Sequence, residues 1–220
     1  MAAEGTSSKA PRQSALPIQE LKAVKRVQLN EIIPPVDFSF LHITGIEECQ
    51  NEEPRDTSPR KNQPTKKKHE KEKSDEKSQS MCLRLNNNFL KNINNISSIA
   101  ASLFDNPANI SWIDLSFNLL ENIDPALIQF ENLKILYLHG NNIGDMKEVN
   151  KLTSLKKLMK LTLHGNDIEN IKGYRFFVLA TLPNLINFDF SRVTKGDRVT
   201  ATTFKGFYNP DKPKKIKHND

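Results

Sequence analysis

Few residues in this chain are typed and spaced for chemistry. His139 and His164 stand in matching contexts, Leu136-Tyr137-Leu138-His139-Gly140-Asn141 and Leu161-Thr162-Leu163-His164-Gly165-Asn166. If those segments are adjacent strands about 4.8 Å apart, the two imidazoles are neighbours and could offer two ligands to a metal. A zinc site needs three or four ligands, and the equivalent positions in flanking segments, Ser116 and Ser191, add none. The spacing therefore predicts hydrogen bonding within the turns and no metal. Cys49 and Cys82, the only cysteines, flank a charged segment whose His69 has no second ligand pair, so neither a disulfide nor a zinc site is expected. Asn88, Asn118, Asn141 and Asn166 recur, and a carboxamide that both donates and accepts suits backbone satisfaction better than catalysis. No phosphate loop, nucleophile elbow or Cys-x-x-Cys pair occurs, so neither enzymatic activity nor a cofactor is expected.

The elements that position these residues are repeats. Leu83-Arg-Leu85-Asn-Asn-Asn88-Phe-Leu90, Ile113-Asp-Leu115-Ser-Phe-Asn118-Leu-Leu120, Leu136 through Ile143 and Leu161 through Ile168 all read L-x-L-x-x-N-x-L. The last three carry a further apolar residue three positions earlier, Ile110, Leu133 and Leu158. This is the leucine-rich repeat consensus, and it predicts an α/β solenoid with short parallel strands on the concave side and helices and turns on the convex side. A fifth unit, from Leu185 through Phe188 and Phe190, keeps the apolar frame but has Val193 where the asparagine should be. Leu83/Leu85, Ile113/Leu115, Leu136/Leu138, Leu161/Leu163 and Phe188/Phe190 are expected to point inward as one column. The intervals between Leu85, Leu115, Leu138, Leu163 and Phe190 are 30, 23, 25 and 27 residues, and the longer ones need extra convex helix. A serine-capped helix is expected over 97–104, and a second from Tyr174, whose Phe177, Val178, Thr181 and Leu182 share one face before Pro183 ends it. Thr194 with Asp197 forms a variant capping box that opens a final helix to about Phe204.

Four regions follow: an N-terminal extension (1–50), a charged linker (51–80), the repeat domain (81–204) and a basic tail (205–220). Ile18, Leu21, Val24 and Val27 predict a short helix within 17–33, and Phe38, Phe40, Leu41, Ile43 and Ile46 form an apolar cluster that either caps the first repeat or binds separately. Residues 51–80 hold nine basic and seven acidic side chains, three prolines and no apolar side chain, so they are expected to be disordered. Their lysine-rich run at 66–73 fits a solvated linker better than a nuclear-import patch. No apolar stretch approaches the roughly 18 residues of a membrane span, and the first residues lack a signal-peptide core. A soluble, cytoplasmic protein is expected. The net charge of +6 is spread as +1 over 1–80, +2 over 81–204 and +3 over 205–220, which gives no basic face for a nucleic-acid backbone.

What the solenoid offers is its concave sheet. Its outward positions form three columns: Cys82, Trp112, Ile135, Lys160, Asn187; Arg84, Asp114, Tyr137, Thr162, Asp189; and Asn86, Ser116, His139, His164, Ser191. Trp112, Ile135 and Tyr137 as neighbours, ringed by Arg84, Asp114 and Lys160, have the composition of an interface hot spot, with Thr162, His139 and His164 beside them. A protein partner is expected there, without small-molecule substrate, membrane or direct nucleic acid.

The run Tyr174-Arg175, Leu182-Pro183, Leu185, Phe188-Asp189 and Val193-Thr194 through Arg198 resembles the C-terminal cap of the SDS22-like class of leucine-rich repeat proteins. Motifs outside the generic consensus carry a closer resemblance, to one family of small leucine-rich repeat proteins, across residues 34–200: PPVDFSF from Pro34, NEEPR from Asn51, WIDLSFN from Trp112, EVNKL from Glu148 and KGYR from Lys172. The long N-terminal extension and the insertion after Arg60 depart from that pattern. The resemblance implies a small cytoplasmic, non-enzymatic adaptor or scaffold in ciliated or flagellated cells, with tubulin or other axonemal proteins as partners. Regulation of a phosphatase and association with a ribonucleoprotein are the alternatives that the same class implies.

Overall fold

The computed structural model describes residues 33–55 and 77–207. All but Ile33 of the helix expected over 17–33, the lysine-rich run at 66–73 and residues 208–220 of the tail lie outside these.

Apolar residues two apart, separated by one outward residue, make strands only two or three residues long. Seven form a single sheet in chain order: β1 (Val36–Asp37), β2 (Cys82–Arg84), β3 (Trp112–Asp114), β4 (Ile135–Tyr137), β5 (Lys160–Thr162), β6 (Asn187–Phe188) and β7 (Ser191–Arg192). The first six run parallel, and β7 turns back antiparallel on β6. The register stacks Leu83, Ile113, Leu136, Leu161 and Phe188 one above the next. With Leu85, Leu115, Leu138 and Leu163 they form a buried spine. No turn could bury this surface alone; each is completed by its neighbours. Among the described residues no helix is long and apolar enough to cross a membrane.

The solenoid begins earlier than the boundary at residue 81. Val36 pairs with Leu83, and Val36, Phe38, Ile43, Ile46 and Cys49 are buried in the same core. The cluster read in the N-terminal extension is thus the first turn and caps the repeats. Phe40 is the exception: it is 56 % exposed, with the Arg55 guanidinium 5.6 Å from its ring. Both ends of the segment expected to be a disordered linker are placed on the solenoid. The Arg55 N–H donates to Asp37 O (2.7 Å) and its guanidinium to Ser39 O (2.9 Å), covering the outer edge of β1. At the other end, Ser78 bridges Phe104.

Interval length decides the convex side. The 30-residue interval holds helix α1 (Ile96–Leu103), and the 23-residue interval holds only a 3-10 turn, Pro125–Gln129. Asn106, Asp124 and Asp145 start convex turns by accepting the N–H two residues on, twice with proline next. The serine cap expected for α1 is absent. Asn95 precedes the helix without a side-chain cap bond, its Nδ2 donating to Glu47 Oε1 instead, and Ser97 Oγ is buried without a hydrogen-bond partner among the described residues. Burial of Ile96, Ile99 and Ala100 holds α1 instead. Helix α2 (Tyr174–Thr181) buries Tyr174, Phe177, Val178 and Leu179, and α3 (Lys195–Phe207) closes the end.

The asparagines form a ladder. Asn118 Nδ2 donates to Leu85 O (2.9 Å) and Leu115 O (3.0 Å), while its Oδ1 accepts from Leu90 N–H (3.1 Å). Asn141 and Asn166 repeat this pattern one turn on each time, and Asn88 accepts from Leu41 and Ile43 in the first turn. Four buried carboxamides thereby satisfy peptide groups on two turns at once.

The fifth unit departs from expectation. Asp189 and Phe190 have φ of 49° and 58°, so the strand breaks after Phe188. Phe190 leaves the inward column and is 62 % exposed. Ser191 pairs back with Phe188, not onward in a concave column. Asp189 Oδ1 accepts the N–H groups of Leu163 (2.7 Å) and His164 (3.0 Å), replacing the carbonyls that a further strand would present. Tyr174 Oη donates to its Oδ2 (2.9 Å). Arg175 grips both oxygens of Asp197 at 3.0 Å and reaches Ser191, and the Thr194/Asp197 capping box forms. Gly173, at φ 86°, starts α2 where a Cβ would lie 2.6 Å from the Phe204 ring.

Two stability outcomes follow. Asn141→Ala orphans Leu120 N–H and two buried carbonyls and should cost at least about 2 kcal/mol, and Leu138→Ala about 2–5 kcal/mol, both read by thermal melting. An unchanged melt for either refutes the ladder or the spine. The Arg175 guanidinium, then the Thr194 N–H, hold the Asp197 carboxyl well below its usual range. Its folded value lies below the unfolded value of about 3.9, so the stabilisation is present above about pH 4 and fades as pH falls. Asp197→Asn should lower the melting temperature at neutral pH, with the deficit shrinking below pH ~4; a deficit independent of pH would contradict the pairing.

Candidate functional site

The outward residues of β2 to β5 and the turns after them build the concave face. The register aligns Cys82, Trp112, Ile135, Lys160 and Asn187 in one row and Arg84, Asp114, Tyr137 and Thr162 in the next, as the repeat phase predicts. Burial separates the residues expected to contact a partner. Lys160 is exposed, while Arg84, Trp112, Ile135, Tyr137, His139 and His164 are partly exposed. Asp114 and Thr162 are buried and act as supports: Asp114 Oδ1 accepts from Ser116 N–H (3.1 Å) and Oγ (2.6 Å), and Thr162 Oγ1 lies 2.8 Å from His139 Nδ1. Asn86 and Ser116, placed in the third outward column, are buried too. Arg84 is tied to Asp37 (3.1 Å).

The middle of the face is a cluster of rings. Trp112 meets Tyr137 edge-on at 5.8 Å between centroids, and Tyr137 meets His139 at 6.0 Å. His139 and His164 stack at 4.7 Å with planes 9° apart. Phe190 closes on Tyr137 (5.4 Å), His139 (5.5 Å) and His164 (5.5 Å), and Phe117 meets His139 at 5.1 Å. The indole Nε1 of Trp112 is buried with no hydrogen-bond partner among the described residues.

Phe117 and Phe190 are members that the repeat consensus does not reveal. The residue before each ladder position is left-handed in every turn: Asn87, Phe117, Gly140 and Gly165 have φ of 59°, 52°, 67° and 68°. A bulky side chain there pays about 1 kcal/mol or more, and its site faces away from the core. Phe117 is 52 % exposed because of that position, and its ring lies where a Cβ on Gly140 would come within 2.6 Å. The phase of the glycines was the signal that could have found Phe117. Nothing local marks Phe190, because its exposure depends on the chain turning back at Asp189 to pair antiparallel.

Burial pushes both the Cys49 and Cys82 thiols up to about 12, so neither supplies a thiolate near neutral pH. Among the described residues no group of three or more His, Cys, Asp or Glu side chains is placed to hold a metal, and the His139 and His164 Nδ1 atoms are turned to Thr162 and Asp189. Burial, then the neighbouring His164, lowers the His139 pKa, and burial, then Asp114, raises that of Tyr137.

Residues 108–217 match a family model described as leucine-rich repeat. The chain is 46 % identical over 197 residues to leucine-rich repeat-containing protein 51 of Macaca mulatta, covering 89 % of this chain and 98 % of that protein. The Homo sapiens protein of that name is 46 % identical over 183 residues, covering 82 % and 91 %. Among solved structures, the Drosophila melanogaster SNF/U2A' complex contains a chain similar at a TM-score of 0.47 and 24 % identity, over 56 % of this chain and 66 % of that one.

The depressed pKa gives a pH dependence. His139 favours its neutral form in the folded protein, so its packing is fully present above the ordinary value of about 6.5 and is lost as pH falls through its folded value. Its imidazole signal in an NMR titration should have a midpoint below about 6.5; a midpoint at or above that value would contradict the stacked, half-buried arrangement.

Proposed function

The chain belongs to the leucine-rich repeat family, and from that premise we propose that it is a non-enzymatic adaptor whose concave aromatic face holds a protein partner. The observation that carries this reading is the continuous contact of Trp112, Phe117, Tyr137, His139, His164 and Phe190 on the outward side of the sheet. Leaving a side chain as large as phenylalanine in water forgoes about 1.5–3 kcal/mol of burial, and Phe190 and Phe117 both do so from strained backbone. A partner that covers the rings recovers that energy, and tryptophan and tyrosine at the centre of a patch are where interface energy concentrates. Buried Asp114 and Thr162 beneath the face hold its turns in place, so the surface is preformed and little ordering is required on binding.

The resemblance of the motifs outside the repeat consensus supports a partner in the axoneme, tubulin included, and a place of action in the cytoplasm and the cilium. The test is recovery of partners from ciliated-cell extract by the full chain and by a Trp112→Ala/Tyr137→Ala variant with an unchanged circular dichroism spectrum. Loss of axonemal proteins from the variant's bound set is the expected result. Equal recovery of every partner refutes the concave face as the binding surface. A phosphatase catalytic subunit or an RNase-sensitive complex as the Trp112-dependent partner replaces the axonemal reading.

A further inference from the structure

The regional net charges conceal a gradient within the solenoid. Residues 33–55 carry five acidic side chains and one basic, whereas residues 156–204 carry eight basic and four acidic. On the concave face, position sharpens this contrast, because each of its carboxylates is already engaged within the protein. Asp37 holds Arg84 and accepts the Ser39 N–H, Asp114 holds Ser116, and Asp189 holds the Leu163 and His164 N–H groups and the Tyr174 hydroxyl.

The cations at the other end of the face are not engaged. Lys160 lies in the same row as Ile135 and Asn187, and Arg192 pairs with Asn187 across the antiparallel step, so the two are about 10 Å apart at two strand spacings. Both are exposed, and among the described residues neither has an ion-pair partner, unlike Arg84, Lys151 and Arg175. Ile186, 48 % exposed, lies in the same corner and donates its N–H to Met159 O.

We propose that the partner segment held by this face is acidic as well as apolar, with carboxylates over Lys160 and Arg192 and apolar side chains on the Tyr137/Phe190 rings. This rests on the adaptor reading and specifies the chemistry of its partner. Charge complementarity selects the sign: a cationic segment would meet two exposed cations without an ion-pair partner among the described residues, whereas each carboxylate of the face already accepts hydrogen bonds within the protein. The face also selects a peptide over a nucleic acid. Its cations occupy one corner and do not track a backbone, while aromatic and aliphatic groups make up the remainder.

Selection of a random displayed peptide library on the full chain tests this. Enriched peptides should join an Asp/Glu cluster to an aromatic or aliphatic residue, weaken with added salt, and lose at least about tenfold in affinity to a Lys160→Glu/Arg192→Glu variant. Because both residues are exposed, the variant should keep the wild-type melting temperature. It should also bind the same peptides with lysine in place of their acids. Peptides sensitive to Tyr137→Ala and Phe190→Ala but indifferent to Lys160→Glu/Arg192→Glu overturn the acidic assignment and leave the adaptor reading intact. Peptides indifferent to all four substitutions, or no enrichment at all, overturn both. Tighter binding of a single-stranded RNA homopolymer, lost in the Lys160→Glu/Arg192→Glu variant, overturns the peptide assignment in favour of nucleic acid.

Discussion

A chain that bends sharply after a three-residue strand strips several peptide groups of their partners inside a hydrophobic core, and one asparagine per turn restores them. Each ladder carboxamide donates to carbonyls on its own turn and the preceding one while accepting an N–H from that preceding turn. A buried amide left unpaired costs about 1–3 kcal/mol. Each rung therefore joins two turns that the apolar spine alone would hold only by non-directional contact. The strand register follows from it, and with the register come the rows of the concave face.

The same bend explains why the face carries aromatic rings. The residue before each rung must be left-handed, which turns its side chain away from the core. Glycine fills the position at 140 and 165, where there is no strain to compensate. At 117 a phenylalanine occupies it and is seated over Gly140 and against His139. Structural economy in one turn thus provides the space that an exposed ring uses in the next.

Both ends of the sheet are closed by charged groups that serve the backbone. Arg55 covers the outer edge of β1, giving the NEEPR motif a physical role. Asp189 receives the N–H groups of β5's turn at the far end, and Tyr174, Arg175 and Asp197 of the cap hold the chain as it turns back. Ending β6 before Asp189 also swings Phe190 onto the concave rings, so the C-terminal cap and the candidate site share residues.

The repeat class, the inward spine, the ladder and the concave rows were legible in the sequence, because each depends on a short periodic pattern that every turn repeats. The first turn was harder to see. Leu41 stands where the asparagine should be, although Ile43 follows Phe38 at the same five-residue step that separates Leu85 from Leu90. Which outward residues are accessible was settled only by tertiary structure. Asp114 and Thr162 share the periodicity of Tyr137 and Lys160 yet are buried by local hydrogen bonds and neighbouring turns. Phe190 shares the periodicity of the spine yet leaves it, since the chain turns back there in left-handed backbone to form the antiparallel β7. Periodicity assigns a side chain to one side of a strand; only the packing of all the turns decides whether water or a partner can reach it.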